Sequence, residues 1–437
     1  MRFNLSVQNI RKGNMEKLDN ISRMYIKKWL QYPKNGVTDV ALYHHLLFDL
    51  KKPSQIYLEG HTNSYINSKE ASDSDVRTAL ENRLEREQKW KSKMSTISKS
   101  DNIYKEALKN LNFDHPIHEN VSETHENLKD FRCKTCNHKA DSRQDLNNHW
   151  YNSHQLRAKQ LKNEARKIIR VQTIKEIEGK VTELTVQGTF LKLLQEEKEN
   201  ITWKSIIYSM PRGILSWASR AVTDSLSTPA NLARWNKIID PCCYLCKQMG
   251  KFNKGTLHHI LNNCSYMLTR YDWRHNSILS FITSILIRNN EEKAQIYADI
   301  EGHKVNSGTI PNNIIQTTQR PDLVIITKGK IVIVELTVPF ESNIHGAERR
   351  KKDRYASLEY DIQELGHQCE VLTIEIGSRG YITKENKERL TNIFKSFKIK
   401  KHTNILTSIS KIALLTSYSI YNSRQGAEWS SIPYLRP

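Results

Sequence analysis

Asp322 and Glu335 are the residues whose types and spacing bear most directly on chemistry. Asp322 precedes the apolar run Leu323–Ile326, Lys328-Gly329 makes a turn, and Glu335 follows the apolar run 331–334. Two short β-branched runs joined by a Gly-containing turn predict a β-hairpin. Both runs are apolar on both faces, so the hairpin is expected as a buried central piece of a sheet. It brings the two carboxylates to the same end. Two hard oxygen donors at one point, with Lys351 or Lys352 on the next helix, make a site for Mg²⁺ and a phosphodiester. Two further sets have zinc spacing. Cys133-x2-Cys136-x12-His149-x4-His154 carries Phe131, Ala140 and Leu146 at the apolar positions of a ββα finger. A CxxC knuckle supplies two thiolates and a helix supplies two imidazoles about a turn apart, completing a tetrahedral Zn²⁺ site. Without metal so short a segment buries no core. Asp141, Ser142, Arg143 and Asp145 fall at the helix start, where such a finger faces the major groove, so Arg143 is a candidate nucleic-acid contact. A lone finger reads about three base pairs; RNA or protein is the alternative ligand. The second set is Cys243-x2-Cys246-x12-His259-x4-Cys264, in which His258 could replace His259 and Cys242 could replace Cys243.

Composition agrees with a polyanionic partner. The chain has 437 residues, with 67 Lys+Arg against 47 Asp+Glu and a net charge of +20. That excess favours nucleic acid over membrane. The length leaves room for about two to four domains. A hydrophobic fraction of 38% allows cores joined by polar linkers. No stretch reaches the ~18 apolar residues of a membrane span, and 278–287 is a buried helix at most. Met1-Arg-Phe-Asn-Leu-Ser lacks the apolar core of a secretory signal. The seven Cys therefore point to metal rather than disulfides.

The fold class expected is multidomain α+β: a helical N-terminal part (1–110), the ββα zinc finger (131–155), a helical linker (156–240) with a CCHC zinc knuckle (241–266), an α/β domain (267–400) and a tail (401–437). Leu18, Ile21, Tyr25, Trp29 and Leu30 recur at near-helical spacing. Residues 75–94 form a charged helix, 95–130 read as linker, and 156–171 form a basic amphipathic helix. Trp203, Trp217 and Trp235 read as core. Tyr297-Ala-Asp299-Ile300 lacks the second Asp of a polymerase box and reads as helix. After the hairpin come a helix at 347–365 ended by Gly366, a third strand at 371–376 and a basic helix at 384–398; 400–437 says little. The order strand–strand–helix–strand–helix suits one α/β unit.

Asp322, twelve residues, then Glu335 with a downstream Lys resembles the PD-(D/E)xK nucleases of restriction-endonuclease-like fold. Arg320-Pro-Asp-x12-Glu followed by Lys352-x2-Tyr355 is similar to the version in site-specific non-LTR retrotransposons. Other segments resemble the same family in the same order. Leu18-Asp19, Lys28-Trp29-Leu30-Gln-Tyr-Pro33 and Thr38-Asp-Val-Ala-Leu-Tyr43 resemble the segment after the reverse-transcriptase palm and thumb. Gln187-Gly188, Trp203, Arg220-Ala221 and Asn231-Leu-Ala-Arg-Trp235 resemble the linker. The stretch from Thr256 to Cys264 resembles the knuckle and selects His259, and Arg274-His275-Asn276 matches the motif ahead of Arg-Pro-Asp. The resemblance implies that Asp322 and Glu335 hold Mg²⁺ and that Lys352, ahead of Lys351, meets the scissile phosphate beside Tyr355. It makes Arg274, His275 and Arg320 nucleic-acid contacts; a satisfied helix residue is the plain reading of His275. Two features depart from the family: Thr337 stands two residues past Glu335 where the common motif has Lys, and the finger lies after the thumb-like segment. The implied function is a nuclear endonuclease that nicks target DNA so that the 3′ end primes reverse transcription of element RNA. No polymerase box is present, so only the nicking and binding half of that cycle falls to this chain; whether a separate reverse transcriptase is a partner stays open at the level of sequence. The alternatives are an idle zinc-dependent DNA- or RNA-binding protein of the same origin, and a regulatory finger protein.

Overall fold

The structure, a computed structural model, describes residues 10–33, 40–71, 73–89, 96–113, 131–133, 136, 138–196, 201–291, 293–306, 308–426 and 428–429. These form a mixed α+β protein with two compact units. One comprises Met1–Ile26, Leu42–His45 and Asp49–Lys180; the other comprises Lys27–Ala41, Leu46–Phe48 and Val181–Pro437.

The first unit packs helices Pro53–Lys69, Thr96–Asn110 and Leu156–Thr182 around Tyr65, Ile66, Ile103, Tyr104, Leu161 and Ile168. Thr96–Asn110 corrects the expected linker at 95–130. Ile97, Ser100, Ile103, Tyr104, Ala107 and Leu108 make its buried stripe, which intervening Lys, Ser and Asn dilute in the sequence; 114–130 lie outside the described residues. Helix Lys12–Trp29 follows the expected periodicity, but Ile21, Tyr25 and Trp29 are exposed. The charged helix spans Ser74–Lys89. The finger has β1 (Phe131–Arg132) antiparallel to β2 (Lys139–Ala140) and then helix Arg143–His149. Ser142 opens that helix, its Oγ accepting from the Asp145 N–H at 3.0 Å.

The second unit is built on a sheet of order β3-β4-β5-β6: Gln295–Ala298, Leu323–Ile326, Ile331–Thr337 and Cys369–Glu375. β3 and β5 pair antiparallel with β4, and β6 runs parallel to β5 after the crossover helix Ile344–Glu364. The hairpin is central, as its two-faced apolar runs predict, and Thr327 and Lys330 close it around Lys328-Gly329 with an N–H to carbonyl bond of 2.9 Å. Leu323, Ile325, Val334 and Leu336 pack on one face against helices Leu268–Arg288, Lys384–Ser396 and His402–Asn422. Val324, Ile331 and Ile333 pack on the other against Tyr355, Leu358 and Ile362.

Two parts differ from expectation. Residues 295–298 are an edge strand, not helix; four residues hold no periodicity, and the antiparallel register Ala298↔Leu323 decides them. Residues 402–422, inside the uninformative tail, form a helix whose Leu406, Ile409, Ile412 and Ala413 enter the main core. Trp217 is buried and Trp235 half-buried, while the side chain of Trp203 lies outside the described residues. Arg379 fastens the linker helix Arg212–Val222 to the sheet domain. Its Nε donates to Glu341 Oε2 at 2.6 Å and its Nη1 to the Ala221 carbonyl at 3.1 Å. Both charges are buried, so removing either costs about 3–5 kcal/mol.

Candidate active site and metal centres

The register Leu323↔Val334 sets Asp322 opposite Glu335 at one end of the sheet. Alternation along β5 puts Glu335 on the face of Ile331 and Ile333, towards helix 344–364. The Asp322 N–H donates to Glu335 Oε2 at 3.2 Å, and the Leu336 N–H donates to Asp322 Oδ2 at 2.8 Å. Glu335 is 2% exposed. Burial pushes its pKa up, the neighbouring Asp322 charge adds to this, and Lys351 opposes both.

The lysine in this site is Lys351, which pairs with Glu335 Oε1. Lys352, the residue favoured by resemblance, pairs instead with Glu348 at 2.9 Å. Successive helical residues turn by about 100°, so only one of the two lysines can face β5. Tyr355 is buried and does not line the cleft. Its hydroxyl donates to the Arg320 carbonyl at 3.2 Å, which positions the chain entering Asp322, and burial together with the neighbouring Glu335 carboxylate pushes its pKa up.

Helix 268–288 delivers His275, whose Nε2 lies 3.2 Å from Asp322 Oδ2 and 3.1 Å from the Leu336 carbonyl. Burial alone lowers this imidazole, but the Asp322 charge and hydrogen bond, Asn276 and Glu335 outweigh it and hold it at about 9. Arg274, expected as a nucleic-acid contact, lies in the cleft lining but is held within the protein. Its guanidinium is buried, donating to Ser417 Oγ at 3.0 Å and to the Val338 carbonyl at 3.2 Å, so it fixes the exit of β5. Burial lowers its pKa to about 10. Arg320 is half exposed and pairs with Asp299. Asp322, His275, Arg320, Lys351 and Thr337 line one cleft of about 580 Å³. Asp299 and Lys304 line it too, and sequence reasoning missed both. The sequence around Asp299 reads as helix rather than as the end of the β3 strand that places it, and nothing in the sequence marks Lys304.

The acids suit a hard divalent cation. Asp322 Oδ1 has no hydrogen bond among the described residues and its carboxylate lines the cleft; Glu335, the second hard oxygen donor, is buried behind it and outside the cleft lining, with Oε2 on the Asp322 N–H and Oε1 on Lys351.

Two Cys/His groups could each hold a metal ion: Cys133, Cys136, His149 and His154, and Cys243, Cys246, His259 and Cys264. In each, four ligand atoms lie within 4.8 Å of one another. Cys133 Sγ is 3.3 Å from His154 Nε2 and Cys136 Sγ is 3.0 Å from His149 Nε2. Cys246 Sγ is 3.3 Å from His259 Nε2 and 3.8 Å from Cys264 Sγ. Bonds of about 2.0–2.3 Å around tetrahedral zinc place ligands about 3.3–3.8 Å apart, so both groups are compatible with zinc. The x4 spacing of each second pair has a physical cause. On an α-helix, residues five apart point about 140° from each other. Each pair is instead spanned by a π-helical turn, Trp150–Gln155 directly after His149 and His259–Asn263 directly before Cys264, whose wider i→i+5 winding brings such residues to one side. His258 and Cys242 are outside the second group. His258 packs against Phe340 at 4.8 Å, and Cys242 lies in an isolated bridge with Lys254. Arg143 is exposed on the finger helix, and His138 stacks on His149 at 4.1 Å.

The second group is wired to the cleft. Asn262 Nδ2 donates to the Val338 carbonyl at 2.7 Å, and the Tyr271 hydroxyl donates to the Ile260 carbonyl at 2.8 Å. Among the described residues no helix is long and apolar enough to cross a membrane. In comparison with known proteins, the chain matches no family model and no curated protein.

Proposed function

We propose that this protein is a Mg²⁺-dependent DNA endonuclease with a restriction-like catalytic domain, derived from the C-terminal half of a site-specific non-LTR retrotransposon polyprotein, with zinc in both Cys/His groups. One observation carries the reading: Asp322 and Glu335 meet at one end of the central hairpin with Lys351 on Glu335. The proposed reaction is hydrolysis of one strand of target DNA in the nucleus. The new 3′ end then primes copying of element RNA by a separate reverse transcriptase.

Asp322 and Glu335 would hold the ion. Bound there, Mg²⁺ polarises the scissile phosphate and lowers the pKa of an attacking water. Lys351 lies where it can stabilise the charge developing on the phosphate, and His275 orients the Asp322 carboxylate through their contact. Supercoiled plasmid nicked only with added Mg²⁺ is the test. Lys351→Ala should slow nicking by about 10²–10³-fold, the scale of one lost transition-state donor, whereas Lys352→Ala should nick nearly as the wild type does. The reverse ranking would move the catalytic role back to Lys352, and nicking without divalent metal would end the reading.

Zinc in the finger has its own check. Cys133→Ser should remove one of two bound zinc equivalents, unfold 131–155 and weaken DNA retention. Unchanged zinc content and retention would remove the structural finger.

A specific observation favours a second reading, that of an idle zinc-dependent DNA- or RNA-binding protein. His275 and Lys351 already neutralise both acids without metal. Such a protein binds nucleic acid in a salt-sensitive way and nicks nothing.

A further inference from the structure

Asp299 follows β3, and its N–H donates to the Asp322 carbonyl at 2.9 Å. Neighbouring strands lie about 4.8 Å apart. The sheet order therefore places Asp299 one strand to the side of Asp322, away from β5 and the Lys351 helix. Its Oδ1 is shared by two cations, Arg320 Nη2 at 2.5 Å and Lys304 Nζ at 3.0 Å. The two cationic side chains are 47% and 39% exposed, and all three residues line the cleft that holds Asp322 and Lys351. One carboxylate against two cations leaves one net positive charge at this lip. An exposed ion pair is worth only about 0–1 kcal/mol, so folding stability alone gives little reason to gather two cations on one oxygen.

We infer that Lys304 and Arg320, held in place by Asp299, form a second phosphate site, which takes the backbone phosphate next to the one at Asp322 and Lys351. The ligand is a nucleic-acid strand crossing the end of the sheet from the helix 344–364 side to the β3 edge. Arg320 offers a planar donor fork to two phosphate oxygens and Lys304 a point charge. Asp299 is a positioning residue that keeps both cations at the lip when no strand is bound. The assignment of the neighbouring phosphate as the scissile one rests on the nuclease reading; the site itself does not.

The test is binding of a fluorescein-labelled DNA duplex to the full chain without added divalent metal, over a series of salt concentrations. One phosphate contact contributes about 0.9 to the slope of log affinity against log salt. Lys304→Ala and Arg320→Ala should each weaken binding, and the double variant should lower the slope by about 0.9, because both cations serve one phosphate. Lys304→Arg should keep the wild-type slope. A double variant with an unchanged slope, or a loss of affinity that only tracks a lower melting temperature, overturns the site. Plasmid nicking by Asp322→Asn separates the two claims. If that variant nicks normally while the slope still falls, the nuclease reading fails and the phosphate site stands. If nicking needs Asp322 and the slope does not move, only the phosphate site falls.

Discussion

Asp322→Ala is expected to reduce Mg²⁺-dependent nicking by about 10³-fold or more. Metal polarisation of a phosphoryl oxygen supplies several kcal/mol, and each ~1.4 kcal/mol is a factor of ten in rate. The alanine also does structural harm. It takes away the acceptor of the Leu336 N–H and the counter-charge of His275, and an orphaned buried donor costs about 1–3 kcal/mol. Asp322→Asn separates these effects, because an amide oxygen still accepts from Leu336 while the negative charge is gone. The asparagine variant keeps the Leu336 acceptor but not the counter-charge of His275, so it should melt below the wild type and above the alanine variant, and it should bind duplex at least as well in the absence of metal, since a negative charge has left the cleft. It should nick no better than the alanine variant. Wild-type nicking by Asp322→Asn would show that no metal is held there, leaving the zinc-dependent binding protein as the reading.

The chemistry-bearing spacings were legible because they depend on local rules. Two β-branched apolar runs and a Gly-containing turn suffice to pair Asp322 with Glu335, and ligand spacing picks out both Cys/His groups while leaving His258 against His259 and Cys242 against Cys243 open in the second. What escaped depends on tertiary context. The choice between Lys351 and Lys352 is one residue of helical rotation, about 100°, and only the docking of helix 344–364 on β5 sets that phase. An Arg-His-Asn string carries no record of burial; Ser417, well over a hundred residues away in sequence, is what retains the guanidinium of Arg274. The strand 295–298 exists through its pairing with β4. The helix 402–422 could have been found, since Leu406, Ile409, Ile412 and Ala413 keep helical spacing, but the Ser and Thr among them mask the stripe.

The knuckle variant Cys246→Ser is expected to lose one zinc equivalent and, with it, the Mg²⁺-dependent nicking proposed for the cleft, though Cys246 does not line the cleft. Cys246 is fully buried, with His259 Nε2, Cys264 Sγ and Asn253 Nδ2 within 3.8 Å of its sulfur. Structural zinc contributes about 10–16 kcal/mol to the folding of such short units. Loss of one thiolate should therefore unfold the segment around 241–267 rather than loosen it. That segment carries Asn262, which donates to the Val338 carbonyl, and Val338 follows β5 directly after Thr337 of the cleft. Arg274 donates to the same carbonyl, so the exit of β5 would lose one of its two side-chain anchors. Asn262→Ala isolates that link. It should retain both zinc equivalents, lower stability by about 1 kcal/mol as one hydrogen bond is lost, and slow nicking without abolishing it. Zinc content alone does not distinguish Cys246→Ser from the finger variant Cys133→Ser, because each removes one equivalent; proteolytic protection of 241–267 does. If Cys246→Ser loses zinc and that protection yet nicks at the wild-type rate, the knuckle is a separate module and the cleft keeps its shape through Arg274 alone.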